Sequence, residues 1–336
     1  MQNAQQRIVI AEPGDSAEAR RCAVRLATLG GAGETAAGNA ALVATELATN
    51  ILKHAKHGEV LLRLVGGTDC AAVEVLAIDG GPGMESVERC LVDGYSTAGT
   101  PGNGLGAVRR LSSAFDVYSE PARGTVALAR IACGKAQAPQ SADAVEIGVV
   151  CLPVPPETEC GDAWQLARAD GQVAAMLVDG LGHGVLAAEA AAQAVGAFAE
   201  KPFEMPSDVL GRIHRRMSST RGGAVAVARR DAQGGELQYA AIGNIAGALV
   251  HNGESRGLFT HNGIVGGPTR PIKQLAYPCP AGSLLIMHSD GIKTRWQLSG
   301  YPGLAQRAPG VIAGVLYRDF CRRADDITVL VVAFPT

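Results

Sequence analysis

Apolar residues repeat along this chain with two different periods. Over residues 39–57, Val43, Leu47 and Ile51 fall at i, i+4 and i+8, which predicts an amphipathic helix that Gly58 can end. The runs at 59–65, 72–79 and 124–132 are dense in Val, Leu and Ile and read as strands. Between the last two, Leu105, Val108, Leu111 and Phe115 recur at helical spacing. The first part of the chain is therefore expected to be mixed α/β, with mostly antiparallel strands.

The pattern lapses over GKAQAPQSADA, 134–144, where the residues are small or polar and have no period. It resumes with a strand-like run at 146–154, a buried strand at 172–180 that ends in Asp-Gly, and an Ala-rich helix from Gly184 to Ala199. Apolar runs at 223–230, 236–243, 245–253, 282–291 and 325–334 follow. Many strands and few helices suit a β-sandwich flanked by helices. The expected organisation is a first domain at 1–135, a linker at 136–144 and a second domain at 145–336. The length of 336 residues agrees with two domains.

Composition narrows the field further. The net charge of −2 and the lack of a basic stripe argue against a nucleic-acid partner. The eight cysteines include no CxxC pair, so reduced thiols in a cytoplasmic protein are expected. The N-terminal MQNAQQRIVIAEPGD is not built like a signal peptide. Glu189 and Gln193 interrupt the longest Ala/Val run, so no membrane association is expected.

Three small constellations in the first part carry chemistry. Glu46 and Asn50 share one helix face. A carboxylate there can orient or deprotonate a hydroxyl, and an amide oxygen can ligate Mg2+. Asp79 closes a strand just before Gly80, Gly81 and Gly83, which allow a sharp turn and a close approach to a ligand. Gly102, Gly104 and Gly106 open the next helix. Turn formers rather than a strand precede them and no Lys-Ser/Thr follows, so they form neither a dinucleotide fingerprint nor a P-loop. Taken singly, the first two read as a solvated helix face and an ordinary turn, and the glycines read equally as a phosphate-binding loop of another kind or as a flexible loop.

In this order, ATELATNILKHA, IDGGPGM and GNGLGAVRRL resemble the GHKL ATPase family, whose fold is the Bergerat α/β sandwich. The resemblance spans residues 7–132. It implies that Gly102, Gly104, Leu105 and Gly106 hold the phosphates of ATP, and that Asp79 reads the adenine beside Gly81 and Gly83. It further implies that Asn50 ligates Mg2+, that Glu46 is the general base and that Thr125 lies near the adenine. The wording is most similar to the RsbT/RsbW-type anti-sigma-factor serine kinases. That branch implies transfer of phosphate to a serine of a STAS-domain antagonist.

In the second part, Asp162, Asp179, Asp290 and the pair Asp325-Asp326 sit at strand edges, where a sheet can gather them. Clustered carboxylates without paired His or Cys favour Mg2+ or Mn2+, and two such ions can activate water against a phosphoester. This part, about 146–334, resembles the SpoIIE/RsbU/RsbX branch of PPM-type serine/threonine phosphatases. The resemblance implies an α-β-β-α sandwich. Asp162, Asp179, Asp290 and Asp326 would be metal ligands, joined by the backbone carbonyl of Gly180. Asp325 is the less favoured of its pair, and Asp179 is the residue on which catalysis most depends. Gly243-Asn244 matches a turn near the site. His183 reads as a loop or helix-start residue rather than a proton donor, and Cys160 as a passive small residue. The sequence GDAWQL has no further acid after Asp162, which argues against a third metal.

The overall expectation is an α+β fusion. An ATP- and Mg2+-dependent serine kinase and a metal-dependent phosphatase would act on STAS-domain or stressosome proteins in bacterial partner switching. A sigma factor is a further possible partner, and a homodimer a possible assembly. Two alternatives remain open: an ATP-binding switch that gates the phosphatase, and a non-catalytic sigma-factor- or STAS-binding scaffold.

Overall fold

The computed structural model describes residues 5–66, 71–91, 104–134, 145–268 and 271–335. The expected linker at 136–144 and Gly102 lie outside the described residues. The chain divides into two compact units. One comprises Met1–Gln140 with Gln306–Arg318, and the other Ser141–Ala305 with Asp319–Thr336.

The first unit is built on one antiparallel sheet of β1 (Gln6–Ile10), β2 (Gly58–Val65), β3 (Ala72–Asp79), β4 (Ala114–Glu120) and β5 (Gly124–Ala132), in the order β1-β2-β3-β5-β4. Helices α1 (Pro13–Leu29), α2 (Glu34–Asn50), the short α3 (Val87–Cys90) and α4 (Gly104–Leu111) belong to the same unit. Alternation along the strands decides which face is covered by what. Val73, Val75 and Ala77 of β3 join Ala127, Ala129 and Ile131 of β5 in one core with Ala23, Val43 and Leu47 of the helices.

Leu76, Val126 and Leu128 have the opposite parity. They meet a segment from far along the chain, α7 (Pro309–Phe320), whose residues up to Arg318 cluster with this unit. Glycines allow the close approach. A Cβ at Gly314 would stand 2.7 Å from Val126 Cγ1, and one at Gly310 3.2 Å from Leu128 Cδ2. Polar contacts fix the segment at both ends. The Ala308 N–H donates to Asp116 at 2.6 Å, and the Tyr317 hydroxyl donates to buried Glu59 at 3.1 Å.

Two local expectations are corrected. The helix expected over 39–57 begins earlier, at Glu34, and its α-helical part ends at Asn50. Ile51–Ala55 form a wider π turn, and Lys56 at φ 67° reverses the chain into β2. Phe115 does not continue the helix of Leu105, Val108 and Leu111. The Ser112 hydroxyl bonds back to the Val108 carbonyl, and the Ser113 N–H donates to Arg130. These bonds turn the chain into β4, where Phe115 pairs with Ala129.

The second unit stacks two five-stranded antiparallel sheets. The first contains β7 (Asp162–Ala169), β8 (Gln172–Gly180), β9 (Gly223–Arg230), β10 (Gly235–Ile242) and β13 (Leu275–Cys279), in the order β13-β10-β9-β8-β7. The second contains β6 (Glu146–Leu152), β11 (Ala246–His251), β12 (Glu254–Leu258), β14 (Leu284–His288) and β15 (Ile327–Ala333), in the order β12-β11-β14-β15-β6. Leu177, Tyr239, Met287 and Leu330 are buried between the sheets. On the far side of the first sheet, Met176, Val178 and Val225 pack under α5 (Val185–Glu200) and α6 (Pro206–Arg216). These are three of the four layers of the expected α-β-β-α sandwich; α7, up to Arg318, clusters with the first unit instead. Among the described residues, no helix is long and apolar enough to cross a membrane.

Candidate nucleotide and phosphatase sites

In the first unit, antiparallel register places Asp79 opposite Thr125 at the ends of β3 and β5. The Asp79 carboxylate accepts the Gly81 N–H at 2.8 Å and the Thr125 N–H at 3.3 Å. Burial raises its pKa, opposed by those two N–H donors. Gly83 sits at φ 71°, and a Cβ there would come within 2.1 Å of the Glu120 carbonyl oxygen, so the turn after Asp79 needs glycine. At the other end of the site, Gly104 starts α4 directly against α2. A Cβ on it would lie 3.2 Å from Glu46 Oε2 and 3.4 Å from Asn50 Oδ1. The fold thus sets Glu46, Asn50 and the start of the Gly104-Leu105-Gly106 helix side by side. Donors at a helix start suit a phosphate chain, and the neighbouring Asn50 oxygen suits its cation.

In the second unit, the carboxylates converge at one end of the strands. Asp162 begins β7 and Asp179 ends β8, directly opposite in register. Asp290 follows β14, and Asp325 and Asp326 precede β15. A cleft of about 400 Å³ is lined by residues that include Asp179, Asn244, Asp290 and Asp325. Asn244 Nδ2 donates to Asp290 at 2.7 Å.

The carboxylates act on one another. Burial, then Asp290, Asp325 and Asp326, push Asp179 up to about 7. Burial, then Asp179, push Asp162 well above the ordinary carboxylate range. Asp162 Oδ2 is buried without a hydrogen-bond partner among the described residues. Mutually repelling carboxylates and an orphaned oxygen fit a hard divalent cation. Among the described residues, no three acidic, His or Cys side chains already form a metal-holding group. The fit therefore rests on donor type and on the cleft.

The adjacent aspartates divide in a way the sequence did not anticipate. Asp326 is buried, and its two oxygens accept the Val154 and Gly161 N–H groups, each at 2.7 Å. Asp325, the less favoured of the two on sequence, lines the cleft. Gly180 ends β8, with its N–H on the Gly161 carbonyl. His183 Nδ1 is 3.0 Å from Glu157 Oε1, with a side chain 59% exposed. It is not among the cleft-lining residues. Cys160 Sγ lies 3.9 Å from Cys151 Sγ, and that contact, together with burial, raises the thiol pKa.

Comparison with known proteins matches two separate stretches of the chain. Residues 9–130 match the family described as histidine kinase-like ATPase domain, and residues 169–335 match stage II sporulation protein E (SpoIIE). The chain joins a histidine kinase-like ATPase domain to a SpoIIE-type phosphatase domain. Two curated relatives of Bacillus subtilis (strain 168) align with it. The serine/threonine-protein kinase RsbT is 35% identical over 81 residues, which is 24% of this chain and 61% of RsbT, so less than two thirds of that relative is spanned. The phosphoserine phosphatase RsbX is 25% identical over 135 residues, 40% of this chain and 67% of RsbX. A solved chain, reported under the bacterial stressosome as a modular system adapted to control secondary messenger signalling, is 27% identical with a TM-score of 0.52. It covers 56% of this chain and 99% of its own.

Within the ATPase domain, sequence reasoning overlooked Ser119. Its hydroxyl accepts the Met84 N–H at 2.9 Å and lies 2.9 Å from the Thr125 hydroxyl, which ties the glycine turn to β5. Within the SpoIIE-type domain it overlooked the cleft positions Asn262 and Ile264. Both lie between strands in an irregular stretch that has no period to draw the eye.

Proposed function

We propose that this chain both adds and removes phosphate on serine of STAS-domain regulatory proteins, using ATP·Mg2+ in the first unit and divalent cations in the second. The observation that carries the reading is the register pairing of Asp162 with Asp179 beside a cleft lined by Asp290 and Asp325. Asp162, Asp179, Asp290 and Asp325 are the proposed ligands there, with the Gly180 carbonyl. Asp326 instead fixes the loops of Val154 and Gly161. Cations held by these residues would activate a water and neutralise the phosphate. The protein's part is to hold the carboxylates at strand ends, and Asn244 keeps Asp290 in place.

In the first unit, Glu46 would orient the attacking serine hydroxyl, Asn50 would hold Mg2+, and Asp79 would accept from the adenine amine. Gly104-Leu105-Gly106 would meet the phosphates, with Gly102 expected to extend that contact. Phosphoryl transfer depends mainly on positioning and charge stabilisation, so this small set suffices.

Two assays test the reading. Purified chain is incubated with a phosphoserine STAS protein and Mn2+ or EDTA. Release that needs Mn2+ and is lost in Asp179→Ala is expected, and no release with any metal would refute the phosphatase. Labelled ATP with the unphosphorylated STAS protein tests the kinase, and Glu46→Ala should abolish transfer while preserving ATP binding.

A second reading, an ATP-binding switch that gates the phosphatase, is favoured by one observation. Residues 306–318 belong to the ATPase unit, yet in sequence they stop only seven residues short of Asp325. Under that reading Glu46→Ala leaves phosphate release and its response to ATP unchanged.

A further inference from the structure

Asp179, Asp290 and Asp325 line the cleft of the second unit, and a phosphate monoester entering it is aided by positive charge beyond that of any bound cation. One guanidinium stands at its edge. Arg221 precedes Gly222 and Gly223, where β9 begins beside the Asp179–Gly180 end of β8. Its place is set by the backbone. The Leu181 N–H donates to the Gly222 carbonyl at 2.9 Å, and the Gly222 N–H donates to the Thr220 hydroxyl at 3.0 Å. The side chain then runs back along the loop after Asp179. A Cβ at Gly182 would stand 3.4 Å from Arg221 Nη1, and Gly182 lines the cleft together with Asp179, Leu181 and Gly223.

Arg221 is exposed and makes no hydrogen bond or ion pair among the described residues. Arg322 behaves differently, because it offsets the raised pKa of Asp290. Arg221 is not among the principal charges acting on these acids. A guanidinium held at the mouth of a carboxylate-lined cleft, yet paired with none of its carboxylates, is available to an incoming dianion. Its planar fork matches two phosphate oxygens.

We infer that Arg221 is the substrate-binding residue that clamps the phosphate group of the phosphoserine, acting on the substrate rather than on the metal ligands. The inference rests on the phosphatase reading of this unit and deepens it.

The test uses the full chain with Mn2+, a phosphoserine peptide as substrate and inorganic phosphate as competitor. Losing a charge-assisted hydrogen-bonded pair should raise KM for the peptide and the inhibition constant of phosphate about tenfold or more, with kcat changed by less than about threefold. Arg221→Lys should recover part of both losses, because it restores charge without the fork. Mn2+ binding by calorimetry should be the same in wild type and Arg221→Ala. Unchanged KM and phosphate inhibition in Arg221→Ala would overturn the inference, as would a loss of Mn2+ affinity. Direct calorimetric binding of inorganic phosphate to the Mn2+-loaded chain separates this inference from the reading beneath it. No turnover together with phosphate binding that depends on Arg221 refutes the phosphatase and leaves the clamp. Turnover with phosphate binding indifferent to Arg221→Ala refutes the clamp alone.

Discussion

Asp162 and Asp179 stand directly opposite each other on β7 and β8, and Asp162 keeps one buried oxygen without a partner. Two acids facing across a strand pair repel unless one is protonated or a cation lies between them. The folded protein without metal therefore keeps a proton near Asp179 that the unfolded chain gives up in the ordinary carboxylate range. With a folded pKa of about 7, this group's contribution to stability is fully present below about pH 4 and is lost as pH rises through 7. A divalent cation favours the charged form and cancels this loss. In EDTA, the melting temperature should fall from pH 5 to pH 8, and Mn2+ should raise it more at pH 8 than at pH 5. Asp179→Asn should flatten the EDTA profile. A profile unaltered by that substitution would place the proton elsewhere.

The neighbours Asp325 and Asp326 should respond oppositely to the same change. Asp325 lines the cleft, so Asp325→Asn should weaken Mn2+ binding about tenfold or more with little change in melting temperature. Asp326 accepts two backbone N–H groups, and an amide placed there would turn its own NH2 toward a donor. Asp326→Asn should cost about 1–3 kcal/mol of stability. Calorimetric Mn2+ titration and thermal melting of both variants read the two effects separately.

Gly83 tests the nucleotide site. Alanine there is strained at φ 71° and collides with the Glu120 carbonyl, so the turn must shift away from Asp79. Gly83→Ala should lower affinity for a fluorescent ATP analogue about tenfold or more. Mn2+-dependent phosphatase turnover measured without nucleotide should stay near wild type.

The segment 306–318 should matter to the ATPase unit despite its distance in sequence. Gly314→Val places new atoms where Val126 Cγ1 already lies 2.7 Å from a Cβ. Overpacking of this kind costs about 1–3 kcal/mol. Hydrogen exchange should show faster exchange in β3 and β5, and unchanged protection there would mean that the contact does not bear on the sheet.

Much of this protein is legible in its sequence, because its strongest signals are local. Strands 72–79, 124–132 and 172–180 coincide with β3, β5 and β8, since buried strands write themselves as unbroken apolar runs. The edge strand β4 did not, because its half-buried residues carry a weaker pattern and Phe115 happened to extend a helical repeat. The π turn at Ile51–Ala55 was equally hidden, as its side chains keep a helix-like spacing.

The sequence alone determined the inventory of chemistry: Glu46 and Asn50 one turn apart, Asp79 ahead of its glycines, and acids placed at strand ends. These follow from spacing within single elements. Tertiary structure decided which of two adjacent aspartates faces the cleft, which glycine abuts Glu46, and which unit the segment 306–318 joins. Each of these depends on contacts between residues far apart in the chain. Neighbours such as Asp325 and Asp326 share a local signal, and only the backbone N–H groups of Val154 and Gly161, arriving from another part of the unit, tell them apart.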